Sequence, residues 1–385
     1  MIKYIKSNLV SCLYFFIIFL ILLSIITKGW IHTWATLNIP TLLPPHFDLR
    51  FYQYPAIQID RGANPLFGIH ELWSNNFKGW SDYYLYEFKL AHFLNLHKET
   101  YFIGFALLVL INYIFCIYKI LKIKKNSFWI LILFFSSGSL LGIERTNNDL
   151  IIFCLLYWVA MYPNILGVFL YLTAVKIEIW PAITGIAFIK KKIKIFALIL
   201  VTFFFMYNFK AIFYENVEGI NDWLSFGSKS TSVSIYRFFS VNINYLAITT
   251  VLLLFTLFSL IPRLKIFKFE FKKEPTPFVE RLFLIGSSIY IGLFIAASNF
   301  DYKLIFLIFC VPYISMLRNK INKYFILILM VIASNYTWIY NNNLASVGVF
   351  INVIAKCFLF ISLLNLLIKY FYNLYKQYGI KKIFL

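Results

Sequence analysis

Long apolar segments recur along almost the whole of this 385-residue chain, and they constrain its fold more than any motif does. Most run for about 14 to 22 residues, which is long enough for a membrane-spanning helix. They lie at roughly 8–27, 101–121, 128–143, 149–162, 164–189, 194–209, 238–261, 281–298, 303–317, 324–339 and 347–368. Because the strands of a membrane barrel would alternate apolar and polar residues, we predict an all-α, polytopic transmembrane helical bundle.

The composition excludes a soluble globular protein. Apolar residues make up 61% of the chain and charged residues only 14%, and the mean hydropathy is +0.77. All five cysteines fall inside predicted spans, where they behave as small apolar residues and do not predict an external disulfide framework. No cleavage motif precedes Lys28, so we expect the first apolar segment to be retained as a span.

Short basic clusters predict the orientation of the chain. They lie at 122–125, 190–194, 263–273, 318–323 and in the tail, and the positive-inside rule assigns them, with both termini, to the cytoplasm. Every cluster reaches that side if Val175–Pro181 is the apex of a helical hairpin, which predicts about twelve helical segments. The net charge of +20 then belongs to the inner face, where it meets anionic membrane lipids, and indicates no nucleic-acid partner.

We expect one integral domain over 1–385 in the cell's inner, or plasma, membrane. Its first external loop, 28–99, is long and aromatic, which predicts helices lying along the outer interface. A second external loop covers 210–237, and a basic cytoplasmic tail covers 369–385. Long loops usually carry function, so we expect the functional site to lie on the external face.

A carboxylate, Asp48, follows the first span inside a Pro-rich and Tyr-rich stretch of the first loop. Such a stretch is typical of an ordered loop. Lone cations also occur near the outer ends of other spans, away from the basic inner loops. This is unusual under the positive-inside rule and suggests a bound anion; the residues are Arg145, Lys176, Arg237 and Lys303.

A second polar cluster, Glu144–Asp149, lies between two apolar segments with no spacer. Consecutive polar residues at a membrane edge are costly, so we expect them to bind a ligand. The alternative is a mutually paired cap, with Asn148 or Asp149 capping the next helix, and the two readings are compatible.

Further polar clusters occur at the hairpin apex, where Lys176 and Glu178 can also neutralise each other, and at Ser298–Lys303. The Ser/Thr-rich end of the second external loop is either a lid or a plain linker.

Three of these motifs together resemble a known family. They are Asp48-x-x-Phe51-Tyr52 continuing to Gly62-x-Asn64-Pro65, then Glu144-Arg145-Thr-Asn147-Asn148-Asp149, then Asn299-Phe300-Asp301-Tyr302-Lys303. Their order is similar to that of polyprenyl-phosphate-sugar-dependent membrane glycosyltransferases of the GT-C fold, in particular the mannosyltransferase-like glycosyltransferase family 87. The likeness covers most of residues 1–318.

The resemblance implies an inverting transfer of a hexose or pentose from a polyprenyl-phosphate sugar to a glycan or glycolipid acceptor outside the membrane. Asp48 would be the general base, and Arg145, Arg237 and Lys303 would hold the lipid phosphate. It also implies that substrate contacts come from Arg50, Tyr52, Glu144, Asn147, Asn148, Asp149, Lys176, Asp301 and Tyr302. Two departures are that Lys176 precedes Pro181 by five residues, and that Lys303 stands where the family usually has Arg.

The residues suit this chemistry independently, since a lipid phosphate leaves as an anion and one general base with nearby cations suffices. A glycosidase would need two carboxylates. An O-antigen-type polymerase and a secondary transporter remain alternatives. His46-x-Asp48 and His92 with His97 match no standard ligand spacing, so no metal or other cofactor is predicted.

Overall fold

The computed structural model describes the chain at 2–63, 85–123, 127–163, 225–226, 231–232, 234–236, 240, 243–259, 269–272, 274–296, 299–335 and 345–384. The predicted hairpin apex Val175–Pro181 and the predicted span at 194–209 lie outside these residues. So do Lys176 and Arg237, whose proposed phosphate contacts are therefore not addressed by the structure.

The described residues are mainly α-helical. The first helices are α1 (Ile2–Lys28), α2 (Trp30–Thr36), α3 (Arg50–Asp60), α4 (Leu85–Phe93), α5 (Glu99–Leu121), α6 (Ser127–Phe134), α7 (Ser137–Arg145) and α8 (Asn148–Met161). Further along are α9 (Tyr245–Ser259), α10 (Pro277–Ala296), α11 (Val311–Ile314), α12 (Lys320–Ser334) and α13 (Ala345–Phe384). A 3₁₀ helix covers Asp301–Cys310, and two short strands are β1 (Ser225–Phe226) and β2 (Asn299–Phe300).

Four described helices are long and apolar enough to cross a membrane, and a bent pair raises the number to five if it is one span. The four segments are Leu9–Lys28, Glu99–Leu121, Pro277–Ile295 and Val347–Asn373. The chain is therefore a helical membrane-spanning protein, as predicted. The described residues do not confirm twelve segments.

The predicted span at 128–143 is broken into α6 and α7, which meet at an angle of 51°. Ser136 lies at the break and caps α7 by accepting a hydrogen bond from the Ser139 backbone N–H at 3.4 Å. The Asn335 side chain accepts another from the Ser137 N–H at 3.0 Å. Because serine oxygens compete for backbone donors, a Ser-rich stretch ends one helix and begins another.

The predicted span at 303–317 also differs, because it begins as the 3₁₀ helix and turns into α11. Pro312 lies in α11 and has no N–H to donate back to the preceding turn. The 3₁₀ helix packs closely on α10, since a Cβ placed on Gly286 would lie 2.6 Å from the Phe306 carbonyl oxygen. Ring stacking strengthens this core, with the Phe283 and Tyr313 centroids 4.0 Å apart.

Segment 28–99, predicted to be the first external loop, carries the helices that position the candidate site. α1 ends at Gly29, whose φ of 82° few other residues adopt, and α2 follows directly. α3 packs against α4, and the buried Phe88 ring of α4 lies 5.4 Å from the Phe51 ring of α3. Phe88 is thus a buried core residue of this helix pair.

The residues of the predicted basic tail continue the last helix. α13 has 40 residues and continues through 369–384. At 1.5 Å per residue it is about 60 Å long, roughly twice the thickness of a bilayer's hydrocarbon core. The helix is therefore longer than Val347–Asn373, its part that is apolar enough to cross a membrane, and Lys376, Lys381 and Lys382 follow that part.

Candidate functional site

A tight turn between α7 and α8 forms one wall of the site. The Thr146 N–H bonds to the Ile143 carbonyl at 3.1 Å and the Asn147 N–H to the Gly142 carbonyl at 3.0 Å, which is a Schellman arrangement. It requires left-handed backbone at Thr146, whose φ is 46° and ψ 52°. A β-branched residue is strained there, at a cost of about 1–3 kcal/mol that neighbouring contacts must offset.

Asp48 lies against this turn. Its backbone N–H donates to the Arg145 carbonyl at 3.2 Å, and its Oδ2 accepts a hydrogen bond from Asn147 Nδ2 at 2.5 Å. Asn147 Oδ1 in turn accepts from the Asp149 N–H at 2.8 Å, so Asn147 is the residue that caps α8. The predicted caps, Asn148 and Asp149, are instead the first residues inside the helix. One amide thus caps a helix and orients the Asp48 carboxylate.

His46 links the segment just before α3 to Thr146, the strained residue of the turn. Its Nδ1 lies 2.7 Å from Thr146 Oγ1, and its own φ is 62°. The ring packs edge-on against Trp30, with centroids 5.0 Å apart. Burial, helped by the Arg50 cation, lowers the pKa of His46 to about 4. The imidazole is therefore neutral at neutral pH and acts as a structural hydrogen-bonding group.

Glu144 binds the chain before Asp48 through two further hydrogen bonds. Its Oε1 accepts hydrogen bonds from the Leu42 N–H at 3.2 Å and from Trp30 Nε1 at 3.4 Å. Its Oε2 lies 3.8 Å from Arg145 Nε, and neither of these two atoms makes a hydrogen bond within the described part of the chain. The side chain is only 1% exposed, so Glu144 and Arg145 form a loose buried pair beside Asp48.

Arg50, predicted to contact substrate, is engaged by other side chains. Its guanidinium forms two hydrogen bonds with Glu99, at 2.8 and 3.1 Å, and a third with Gln53 at 2.6 Å. It also lies over the Phe102 ring, 4.7 Å from the centroid. These contacts fasten the start of α3 to the start of α5, and they account for Arg50 without a ligand.

Tyr52 and Asn148 connect α3 to α8. Asn148 Nδ2 donates to the Tyr52 hydroxyl oxygen at 3.0 Å, and the Asp149 side chain is buried one residue further on. Together with the Asp48 contact, this brings two clusters about 100 residues apart in sequence into one site.

The third cluster lies close to the same helices. The 3₁₀ helix that begins at Asp301 packs against α7 and α8, and Lys303 within it is buried, at 5% exposure. Just before it, β2 pairs antiparallel with β1, with Ser225 opposite Phe300. Residues 225–226, within the segment predicted to be the second external loop, are therefore joined to this cluster. For Asp301 and Tyr302 the structure describes the backbone position only.

Sequence reasoning did not single out several residues that hold the site together. They are Thr146, Trp30, Gln53 and Glu99, together with His46, which the sequence offered only as a metal ligand. Thr146 stood inside the polar cluster, but a sequence does not show that a β-branched residue adopts a left-handed conformation. Glu99 at the first turn of a span was a visible signal, since a carboxylate there requires a partner.

No protein-family model, no curated protein and no solved structure matches this chain.

Proposed function

We propose that this protein is an integral membrane glycosyltransferase, which moves a hexose or pentose from a polyprenyl-phosphate sugar to a glycan or lipid-linked acceptor. The observation that carries the proposal is the contact of Asp48 with the α7–α8 turn, where Asn147 donates to its Oδ2 at 2.5 Å. A carboxylate with a fixed orientation at the end of an apolar helix bundle suits a general base acting on a lipid-borne substrate.

The reaction is an inverting displacement. The acceptor hydroxyl oxygen attacks the anomeric carbon from the face opposite the phosphate, and Asp48 takes the hydroxyl proton. The bond between the anomeric carbon and the phosphate oxygen breaks, and the polyprenyl phosphate leaves with the bonding electrons as an anion. Because this leaving group needs no proton, a second carboxylic acid is not required.

Cations near Asp48 would stabilise the departing phosphate. Arg145 is the best-placed candidate, because its backbone carbonyl already binds the Asp48 N–H and its Nε has no hydrogen-bond partner among the described residues. Lys303 lies in a segment packed against the helix that Arg145 ends, and Arg237 and Lys176 are proposed from the sequence. Away from water, the attraction between such a cation and the phosphate anion is stronger than it would be in water.

Amide and hydroxyl groups beside the carboxylate suit a sugar ligand. Tyr52, Asn148 and Asn147 offer donors and acceptors within the same turn region. In this proposal the protein lies in the plasma membrane with both termini cytoplasmic and Asp48 on the external face. Its partners are the lipid-linked donor, the glycan acceptor and the surrounding lipids.

Incubating purified protein with radiolabelled polyprenyl-phosphate sugars tests the proposal. Asp48→Asn keeps the oxygen that Asn147 contacts but cannot accept the proton, so transfer should fall by about 10²–10⁴-fold while donor binding persists. The matched control is Glu270→Gln. Glu270 forms an exposed pair with Arg318 at 3.6 Å, which is worth less than about 1 kcal/mol.

Three outcomes would count against the proposal. Full transfer by Asp48→Asn would mean that another group is the base. Wild-type protein that consumes no polyprenyl-phosphate sugar but lengthens a polysaccharide would indicate a polymerase. Uptake of an anionic substrate into proteoliposomes without any transfer would indicate a transporter.

A further inference from the structure

Three side chains of types that can ligate a metal ion converge at the end of the α3–α4 pair, away from Asp48. Asp60 is the last residue of α3, His92 lies in the last turn of α4, and His97 follows in the next turn. Asp60 Oδ1 lies 3.5 Å from His92 Nε2 and 3.6 Å from His97 Nε2. One ligand atom from each of the three residues lies within 4.8 Å of the others.

The backbone explains why two histidines five residues apart come together. On a continuous helix they would point roughly 140° apart. Instead α4 ends at Phe93, and Asn95 just after it has a left-handed φ of 58°. The Asn95 N–H bonds to the His92 carbonyl at 2.8 Å and the Leu96 N–H to the Ala91 carbonyl at 3.0 Å, which is another Schellman turn. The turn folds His97 back onto His92, so their rings stack with centroids 5.1 Å apart.

The cluster rests on a packed base. Ala56 of α3, Ala91 of α4 and Leu96 of the turn form a buried apolar cluster, and Tyr52 packs against it. The three side chains differ in exposure, at 55% for Asp60, 35% for His92 and 11% for His97. An ion from solvent can therefore reach the cluster through Asp60, while His97 holds the ligand set in place.

The separations match metal ligands better than hydrogen bonds. An N–H···O hydrogen bond is usually about 2.7–3.2 Å long, and both Asp60 distances exceed this range. Two ligands of a tetrahedral ion with bonds of about 2.0–2.1 Å lie about 3.3–3.4 Å apart. The two Asp60 pairs are within a few tenths of an ångström of that value. The third pair, His92 with His97, lies within 4.8 Å, so the two imidazoles would have to turn toward each other to complete the coordination.

We propose that Asp60, His92 and His97 form a binding site for a divalent transition-metal ion, with Zn²⁺ as the best fit. Imidazole nitrogen and carboxylate oxygen are ligands that Zn²⁺ prefers, whereas Ca²⁺ and Mg²⁺ favour oxygen ligands alone. Three protein ligands leave one position for water. The site would join the end of α3 to the turn after α4 and so hold the helix that begins two residues after Asp48. This inference does not depend on the transferase proposal.

Zinc titration of the full-length protein in detergent, after treatment with a chelator, tests the site. Wild type should bind one equivalent of Zn²⁺ at neutral pH, and its unfolding temperature should rise as Zn²⁺ is added, because an ion that binds only the folded state stabilises it. Asp60→Asn and His92→Gln should each weaken Zn²⁺ binding by more than tenfold and remove most of the temperature rise. His32→Gln, which changes an exposed histidine of α2, is the matched control and should behave as wild type.

The main rival is a cluster of ion pairs between Asp60 and protonated histidines, and it gives different results. In that case His92→Gln would lower the unfolding temperature of the metal-free protein, while added Zn²⁺ would change neither wild type nor variant. That result would overturn the proposal. Equal Zn²⁺ affinity in wild type, Asp60→Asn and His92→Gln would overturn it as well, because the ion would then bind elsewhere.

Discussion

Replacing Asn147 separates its two roles, because one amide both caps α8 and orients Asp48. Its oxygen accepts from the Asp149 N–H at 2.8 Å and its nitrogen donates to Asp48 Oδ2 at 2.5 Å. Asn147→Asp keeps a good capping oxygen but puts a second carboxylate where the donor was. Asn147→Ser also keeps a capping oxygen, loses the Asp48 contact and adds no charge.

The expected magnitude follows from charge and distance. Two carboxylates that relax to about 4 Å repel each other by about 4 kcal/mol at an effective dielectric constant of 20. A lost charge-assisted hydrogen bond adds about 1.5–3 kcal/mol. Part of this cost is avoided when one of the two carboxyl groups binds a proton. At about 1.36 kcal/mol per pH unit the repulsion alone corresponds to about three units, so we expect the acid limb of the transfer-rate profile of Asn147→Asp to move to higher pH by up to roughly three units.

The assay is transfer from a radiolabelled polyprenyl-phosphate sugar between pH 4 and 9, together with thermal unfolding in detergent. Asn147→Ser should be slower than wild type with little change in the pH profile, since it introduces no charge. A profile of Asn147→Asp that coincides with that of wild type would refute the reasoning, because Asp48 would then not feel position 147. If Asn147→Asp fails to fold at neutral pH while Asn147→Ser folds, the repulsion between the two carboxylates is supported. Its size would then be measured from the pH dependence of the unfolding temperature of Asn147→Asp, because the transfer rate could not be measured.

Two further predictions concern stability, each read from thermal unfolding. Gly286→Ala should lower the free energy of unfolding by about 1–3 kcal/mol, because its Cβ would lie 2.6 Å from the Phe306 carbonyl oxygen. The control is Gly104→Ala, whose Cβ would have nothing within 4 Å and which should be neutral or stabilising. Equal effects of the two substitutions would contradict the close approach at Gly286. Folding lowers the pKa of His46 from 6.5 to about 4, so the unfolded state binds more protons between these values. Stability should therefore fall as pH drops through that window, by up to about 3 kcal/mol, and His46→Gln should lose this dependence.

Caps show where local sequence signals were sufficient and where they were not. The cluster Glu144–Asp149 was expected to contain a helix cap, and it does, but the cap is Asn147. The choice among three adjacent polar residues depends on where the left-handed residue falls. Thr146 takes that position, and its hydroxyl has His46 as a partner at 2.7 Å. That partner comes from 100 residues away, so no local pattern contains it.

Arg50 illustrates a similar limit. The family resemblance implied a substrate contact for Arg50, whereas the folded chain brings Glu99 within 2.8 Å of its guanidinium, and the sequence gives no sign that these two residues pair. The same applies to the histidines. The spacing of His92 and His97 matches no ligand motif on a regular helix, and only the turn at Asn95 together with Asp60 of another helix makes a cluster of them.

The sequence by itself determined that this is a helical membrane protein, because apolar segments of spanning length are dictated by the hydrocarbon core and by the need to satisfy backbone hydrogen bonds within it. It also located the polar clusters, since polar residues between such segments are conspicuous. The tertiary structure decided which clusters meet and in what geometry. The bend at Ser136, the strained turn at Thr146 and the contact of Asp48 with Asn147 each depend on groups that are distant in sequence. Such contacts form only when packing of the helices repays the cost of bringing those groups together.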